Sequence, residues 1–199
     1  MKNPLGLTAT IILFFCVGCT SLTKNPSEPV VLSDLSTLSK DTVVLAVKFV
    51  PQPDAKLCGL AVVDMLAGYY NRPLKSRERE ILTNTANAEN GTTGAKIKEL
   101  LERENYFAAI LPGTLDHEIT GLYHHLDNQR PLVVMLGTKN PEFFHYVIVI
   151  GYSPTLKNLV VLDPAKGSEV VSEKYFLQEW QKANRFMLVA NPNNQKGVL

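Results

Sequence analysis

The run His145-Tyr-Val-Ile-Val-Ile-Gly151-Tyr152 is the most hydrophobic strand-like segment in the chain, and a second, Leu159 to Leu162, follows closely. Between them, Ser153-Pro154-Thr155-Leu156-Lys157-Asn158 reads as a hairpin connection. Such a pair commits the C-terminal part of the chain to an antiparallel sheet. Leu132 to Leu136 and Phe186 to Ala190 are further strand-like segments, and Phe143 extends the first run at its start. A short helix over about 172–183 carries Phe176 and Trp180. The preceding part has a different period. Cys58 to Tyr70 places Leu60, Ala61, Val63, Met65, Leu66 and Ala67 on a broad apolar face, so this helix is central. Helices also fit residues 76–86, with Ser76 as the cap, 94–104 and 115–127. A strand fits Val43 to Val50, ended by Pro51 and Pro53, and another fits Tyr106 to Leu111. Helices first and strands later predict an α+β fold, with an N-terminal helical part packed on a C-terminal antiparallel sheet.

The ends divide the chain further. Met1-Lys2-Asn3 followed by an apolar run over residues 7–18 fits a secretory signal and is too short to span a membrane comfortably. Val17-Gly18-Cys19 resembles a bacterial lipoprotein signal, with Cys19 as the lipidated first residue of the mature chain. The third position before it holds Cys16, where that pattern favours leucine. Thr20 in place of aspartate points to the outer membrane, facing the periplasm, if the cell is Gram-negative. Residues 19–41, rich in Ser, Thr, Pro, Asn and Lys, read as a flexible tether. Residues 42–191 form the domain and 192–199 a polar tail. The chain has 199 residues, a net charge of +1 and no basic run, so nothing in it argues for nucleic acid.

Removal of a signal segment and lipidation of Cys19 leave Cys58 as an unpaired thiol in an oxidising compartment, where cysteines are usually paired. That count excludes an internal disulfide and a cysteine-rich metal site. A thiol attacks a carbonyl as the thiolate, and the start of a helix stabilises that anion. Taken alone, Cys58 is more often a core residue than a nucleophile. The other members of the set decide between the readings. Gln52, six positions earlier, can supply a side-chain donor to an oxyanion beside the Cys58 N–H. Among the four histidines, His117, His124 and His125 fall on the helix expected over 115–127, whose polar face accounts for them. Neighbouring helical side chains point about 100° apart, which disfavours a metal at His124 and His125. His145 opens the hydrophobic strand and needs a polar partner. Asp163, at the end of the next strand, falls within a residue or two of its register and can orient the imidazole. Asp54 and Asp116 are alternative acids, neither tied to the His145 strand. Gly59, Gly91, Thr92, Thr93 and Gly94 are candidate substrate contacts, since glycines let a peptide backbone approach.

The order Gln52-x5-Cys58-Gly59-Leu60-Ala61, then Tyr69-Tyr70, Gly91-Thr92-Thr93, His145-Tyr146-Val147 and Asp163-Pro164-Ala165-Lys166-Gly167, resembles the papain-like cysteine peptidases that process double-glycine leaders of bacteriocins. The resemblance covers about residues 44–190, and the late Phe176 and Trp180 fit it too. It implies a papain-like fold, Cys58 as nucleophile, His145 as base, Asp163 as its orienting acid and Gln52 as oxyanion donor. No exporter domain or P-loop accompanies these motifs, so the expectation is a stand-alone, lipid-tethered relative.

The expected function is therefore cysteine endopeptidase action on an envelope or exported peptide or protein, without cofactor or metal. The expected partners are that substrate, the membrane through the lipid anchor, and an export system. A non-hydrolytic peptide-binding module of the same fold, or a thioester-forming acyltransferase, would use the same residues differently.

Overall fold

The computed structural model describes residues 30–31, 39–89, 91–138 and 143–193. The signal segment, Cys19, most of the tether and residues 194–199 of the tail lie outside the described residues.

Helix α1 (Cys58–Tyr69) is buried from Cys58 to Val63 and again from Met65 to Ala67. A helix covered on nearly all sides belongs inside the fold. It packs on strands β4 (Leu132–Gly137) and β5 (Phe144–Ser153). Helix α2 (Ser76–Glu89) buries only Leu82 and Ala86. Helix α3 (Gly94–Arg103) buries one stripe, Ile97, Leu100 and Leu101, against β3 (Tyr106–Pro112) and β8 (Phe186–Pro192). The Thr93 hydroxyl caps α3 by accepting from Lys96 N–H. Among the described residues, no helix is long and apolar enough to cross a membrane.

The strands form one antiparallel sheet in the order β1 (Val30–Val31), β7 (Gly167–Ser172), β6 (Asn158–Asp163), β5, β4, β8, β3. Strand β2 (Val43–Val44) pairs with Gly151 and Tyr152, extending the edge of β5 that β4 occupies as far as Val149. Helix α5 (Glu173–Lys182), capped by Ser172, packs on β4, β6 and β7 and buries Phe176 and Trp180 completely. The β5–β6 hairpin has the expected turn but not a regular ladder. Gly151 opposes Val160 while Val149 opposes Val161, so Ile150 is an extra residue on β5.

Several expectations are corrected. The strand expected over 43–50 ends at Val44; after Leu45 N–H bonds to Ile150 O, the chain leaves the sheet. The helix expected over 115–127 is only α4 (Leu122–Asp127). Residues ahead of it form a tight loop in which a Cβ on Gly121 would lie 2.2 Å from Asp116 O. Ser76 is the first residue inside α2 and not the cap before it. Strand β7 lies outside the expected elements, and β1 takes Val30 and Val31 from the expected tether.

Candidate active site

Cys58 is the first residue of α1, and no side chain caps the helix there. The N–H groups of the first turn therefore have no intrahelical acceptor, and the helix start is electropositive. The His145 ring and the Tyr146 and Gly59 N–H groups are set close enough to the sulfur to favour its thiolate form. It is the free cysteine of the described residues.

His145 stands opposite Leu136 on β5. Its Nε2 lies 2.7 Å from Asp163 Oδ1, so Nδ1 is the ring nitrogen left for a second partner. Asp163 ends β6 with a side chain only 3% exposed. The same Oδ1 accepts from Ala165 N–H at 2.8 Å, and Lys166 Nζ lies 3.1 Å from Oδ2. Lys166 also reaches Glu169 at 3.6 Å. A buried carboxylate with both oxygens engaged is held in one orientation and fixes the ring that bonds to it.

Burial opposes charge at all three groups, yet their mutual contacts outweigh it. The Cys58 thiol is pulled below its ordinary range by the His145 ring and the Tyr146 N–H. His145 is raised to about 9 by Asp163 and Cys58. Asp163 is lowered to about 2 by His145, the Ala165 N–H and Lys166. The directions are those of a thiolate–imidazolium pair steadied by a carboxylate.

Gln52 enters from the loop before α1. Its backbone N–H donates to Pro164 O at 3.0 Å, fastening this loop to the one after Asp163. Its Nε2 donates to Asp54 O at 3.0 Å, while its Oε1 is buried without a partner. A primary amide carries two N–H bonds, so one remains for a ligand. Asp54 organises the loop, its Oδ1 accepting from Lys56 N–H at 3.0 Å. Asp116 does the same for the loop before α4, accepting from Glu118 N–H at 3.0 Å. Neither acid pairs with His145.

The candidate substrate contacts have packing duties as well. A Cβ on Gly59 would lie 3.2 Å from Thr92 Cβ, and one on Gly94 would lie 2.4 Å from the Phe186 ring. Gly91 has φ of 140°, a backbone region open to glycine. Thr93 is the α3 cap, and the Thr92 hydroxyl is buried without a partner. His117 pairs with Asp127 at 2.9 Å on the loop before α4. His125 is not on a polar face but buried.

A cavity of about 620 Å³ opens beside His145 and Asp163, floored by Leu136, Val147, Val161 and Phe176. Lys166, Glu169, Glu179 and Lys182 line its charged wall. Lys166 has no role in the site expected from the sequence. The signal for it there is its position three residues after the acid, across a turn. Among the described residues, no group of three or more His, Cys, Asp or Glu side chains is placed to hold a metal ion.

The model of the Peptidase C39 family matches residues 46–195. Solved structures share the papain-like fold. The peptidase domain of Streptococcus ComA, a bifunctional ABC transporter involved in a quorum sensing pathway, is 24% identical. That match covers 73% of this chain and 98% of that one, with a TM-score of 0.58. A double glycine motif protease from an AMS/PCAT transporter, solved in complex with the leader peptide, is 16% identical. It covers 78% of this chain and 96% of its own, with a TM-score of 0.56. A C39-like peptidase from Bacillus anthracis is 17% identical, covers 82% and 98%, and has a TM-score of 0.54. At these identities the likeness is one of fold. No curated protein matches the chain.

Proposed function

We propose that this chain, which belongs to the Peptidase C39 family of cysteine peptidases, is an endopeptidase whose nucleophile is Cys58, with His145 as base, Asp163 as orienting acid and Gln52 as oxyanion donor. The observation that carries the reading is the line of three groups: sulfur at the start of α1, imidazole between, carboxylate behind.

The chemistry follows from that line. The Cys58 proton resides on His145, and the thiolate attacks the scissile carbonyl carbon. The carbonyl π bond opens, and the oxygen takes the charge between the Cys58 N–H and the free N–H of Gln52. As the C–N bond breaks, His145 returns its proton to the leaving amine. Water then attacks the thioester carbon and gives a proton to His145; the C–S bond breaks, the acid product leaves, and the thiolate–imidazolium pair is restored.

The substrate is a peptide or protein segment. The solved relative with a bound leader peptide supports that class. The N-terminal motif around Cys19 supports a lipid-anchored enzyme of the cell envelope, at the outer membrane in a Gram-negative cell. Its substrate is accordingly an envelope or exported polypeptide.

Incubating the full chain with a peptide library and following new amino termini by mass tests the reading. Wild type cleaves and Cys58→Ala does not, while both melt alike. Equal cleavage by the two would sink the assignment. Metabolic labelling with a fatty-acid analogue tests the anchor: Cys19→Ser loses the label if the anchor is there.

A further inference from the structure

The cavity beside His145 lies between the sheet and α5. Strand register builds its floor. Val161 opposes Val149, which alternates in step with Val147 and His145, and Glu169 in turn opposes Val161. These side chains therefore share one face of the sheet. From α5, Phe176 and Glu179 stand three positions apart and turn to the same side. The walls include His145 and not Cys58.

Two carboxylates line this space, Glu169 at 7% exposure and Glu179 at 8%. They differ in what they hold. Both oxygens of Glu179 accept from Lys182 Nζ, at 2.9 and 2.7 Å. The Lys182 stem is pressed against β4, where a Cβ on Gly137 would lie 2.4 Å from Lys182 Cδ. Glu169 is served less well. Lys166 Nζ stands 3.6 Å from its Oε2, beyond hydrogen-bonding length, and lies closer to Asp163, at 3.1 Å. One ammonium thus divides between two carboxylates. Among the described residues no other hydrogen bond or ion pair reaches the Glu169 carboxylate. Its oxygens are not sealed from solvent as Gln52 Oε1 is, so a group in the cavity can reach them. Burial and the Asp163 charge lift Glu169 above the ordinary carboxylate range, the mark of a charge short of a partner.

On the peptidase reading of the site, we propose that this cavity receives an arginine or lysine side chain of the substrate, from the leaving side of the scissile bond. His145 hands its proton to the leaving amine, so the departing segment begins beside the imidazole, and the cavity adjoins that ring. The aliphatic stem would lie over Val147, Val161 and Phe176, and the cationic head would meet Glu169. A cation there supplies the charge that Lys166 divides. An acidic side chain fits less well, because both ammonium groups are already held by carboxylates. An apolar side chain would bury Glu169 further and bring it no partner.

The full chain carrying Cys58→Ala, which cannot turn over, is titrated by calorimetry with arginyl-alaninamide, a mimic of the leaving product, and with its neutral citrulline counterpart. The arginine peptide is expected to saturate one site and to bind at least about tenfold more tightly. Adding Glu169→Gln should erase that difference, which a merely structural role for Glu169 would leave in place. Should that variant not fold, a photoreactive derivative of the arginine peptide decides, its label expected within residues 167–182. Equal binding of the two peptides, a preference that survives Glu169→Gln, or a label elsewhere would each overturn the proposal. Wild type on a peptide library separates this inference from the peptidase reading. New amino termini with Arg or Lys at their first or second residue support the cavity's role. Termini without that bias overturn it and leave the peptidase standing. Selective binding of the arginine peptide with no cleavage of the library would keep the cavity's preference and sink the peptidase alone.

Discussion

His145 and Asp163 face the same way because β5 carries one residue more than β6 within their hairpin. Past the extra residue Ile150, Ile148 opposes Leu162. Asp163 therefore falls against Val147, two residues from His145 and on its side of the sheet. Had the register of Gly151 and Val160 continued unbroken, Asp163 would oppose Ile148 and point to the other face. The bulge thus aligns the carboxylate with the imidazole. Replacing Asp163 by Asn keeps the shape and removes the charge. We expect kcat/KM to fall by about 10²- to 10⁴-fold, with secondary structure kept, measured on a fluorogenic peptide.

A thiolate–imidazolium pair at Cys58 and His145, as proposed, makes the sulfur reactive at low pH. The rate of alkylation by iodoacetamide should have its midpoint below the ordinary thiol range, because His145 lowers the Cys58 pKa. His145→Ala removes that help and leaves burial opposed only by the Tyr146 and Gly59 N–H groups. The midpoint should then move upward. A midpoint unchanged by the substitution would disprove the pairing.

Stability should depend on pH in two windows. Asp163 is lowered from 3.8 to about 2, so its contribution is complete above pH 3.8 and is lost as pH falls toward 2. His145 is raised from 6.5 to about 9, so its contribution is complete below pH 6.5 and lost as pH climbs through 9. The triad stabilises most between those limits. Thermal melting of wild type against Asp163→Asn across pH should show the acid-side dependence shrinking in the variant.

Lys166 shares Asp163 with His145, and its side chain is 55% exposed. Lys166→Met leaves the carboxylate less neutralised, which strengthens its hold on the imidazolium. The basic limb of Cys58 alkylation should move upward, by less than about one pH unit because solvent screens the ammonium. A downward move would contradict this account of Lys166 as a positioning residue.

Gln52→Ala should lower kcat by about 10²- to 10³-fold with little change in KM, since an oxyanion donor acts in the transition state. The loop should stay in place, because its bond to Pro164 O uses the backbone N–H alone. A KM effect with kcat unchanged would assign Gln52 to ground-state binding instead.

Much of this is legible in the sequence because local signals agree. The apolar face of α1, the stripe of α3 and the turn between β5 and β6 all specify their own structure. Strand β7 is hidden because Gly167-Ser-Glu-Val-Val-Ser has only two apolar residues and gains its pairing from β6. The helix over 115–127 looks longer in the sequence than it is, because its apolar spacing continues through a loop that Gly121 and Asp116 close. Sequence spacing brings Asp163 near His145 but does not fix which face it takes, since nothing in Val149-Ile150-Gly151 announces an extra residue. His125 reads as solvated because its neighbour His124 is polar too. Only the packing of α4 puts one of them inside.

The bond from Gln52 N–H to Pro164 O works as a clasp between two halves of the molecule. It joins the segment leading into α1 to the segment leaving β6. Prising the helical layer off the sheet severs it, and in the same movement parts sulfur from imidazole. Competence to cleave is therefore tied to closure as a whole, so a partner that wedges these halves apart would silence the enzyme without touching its reacting atoms.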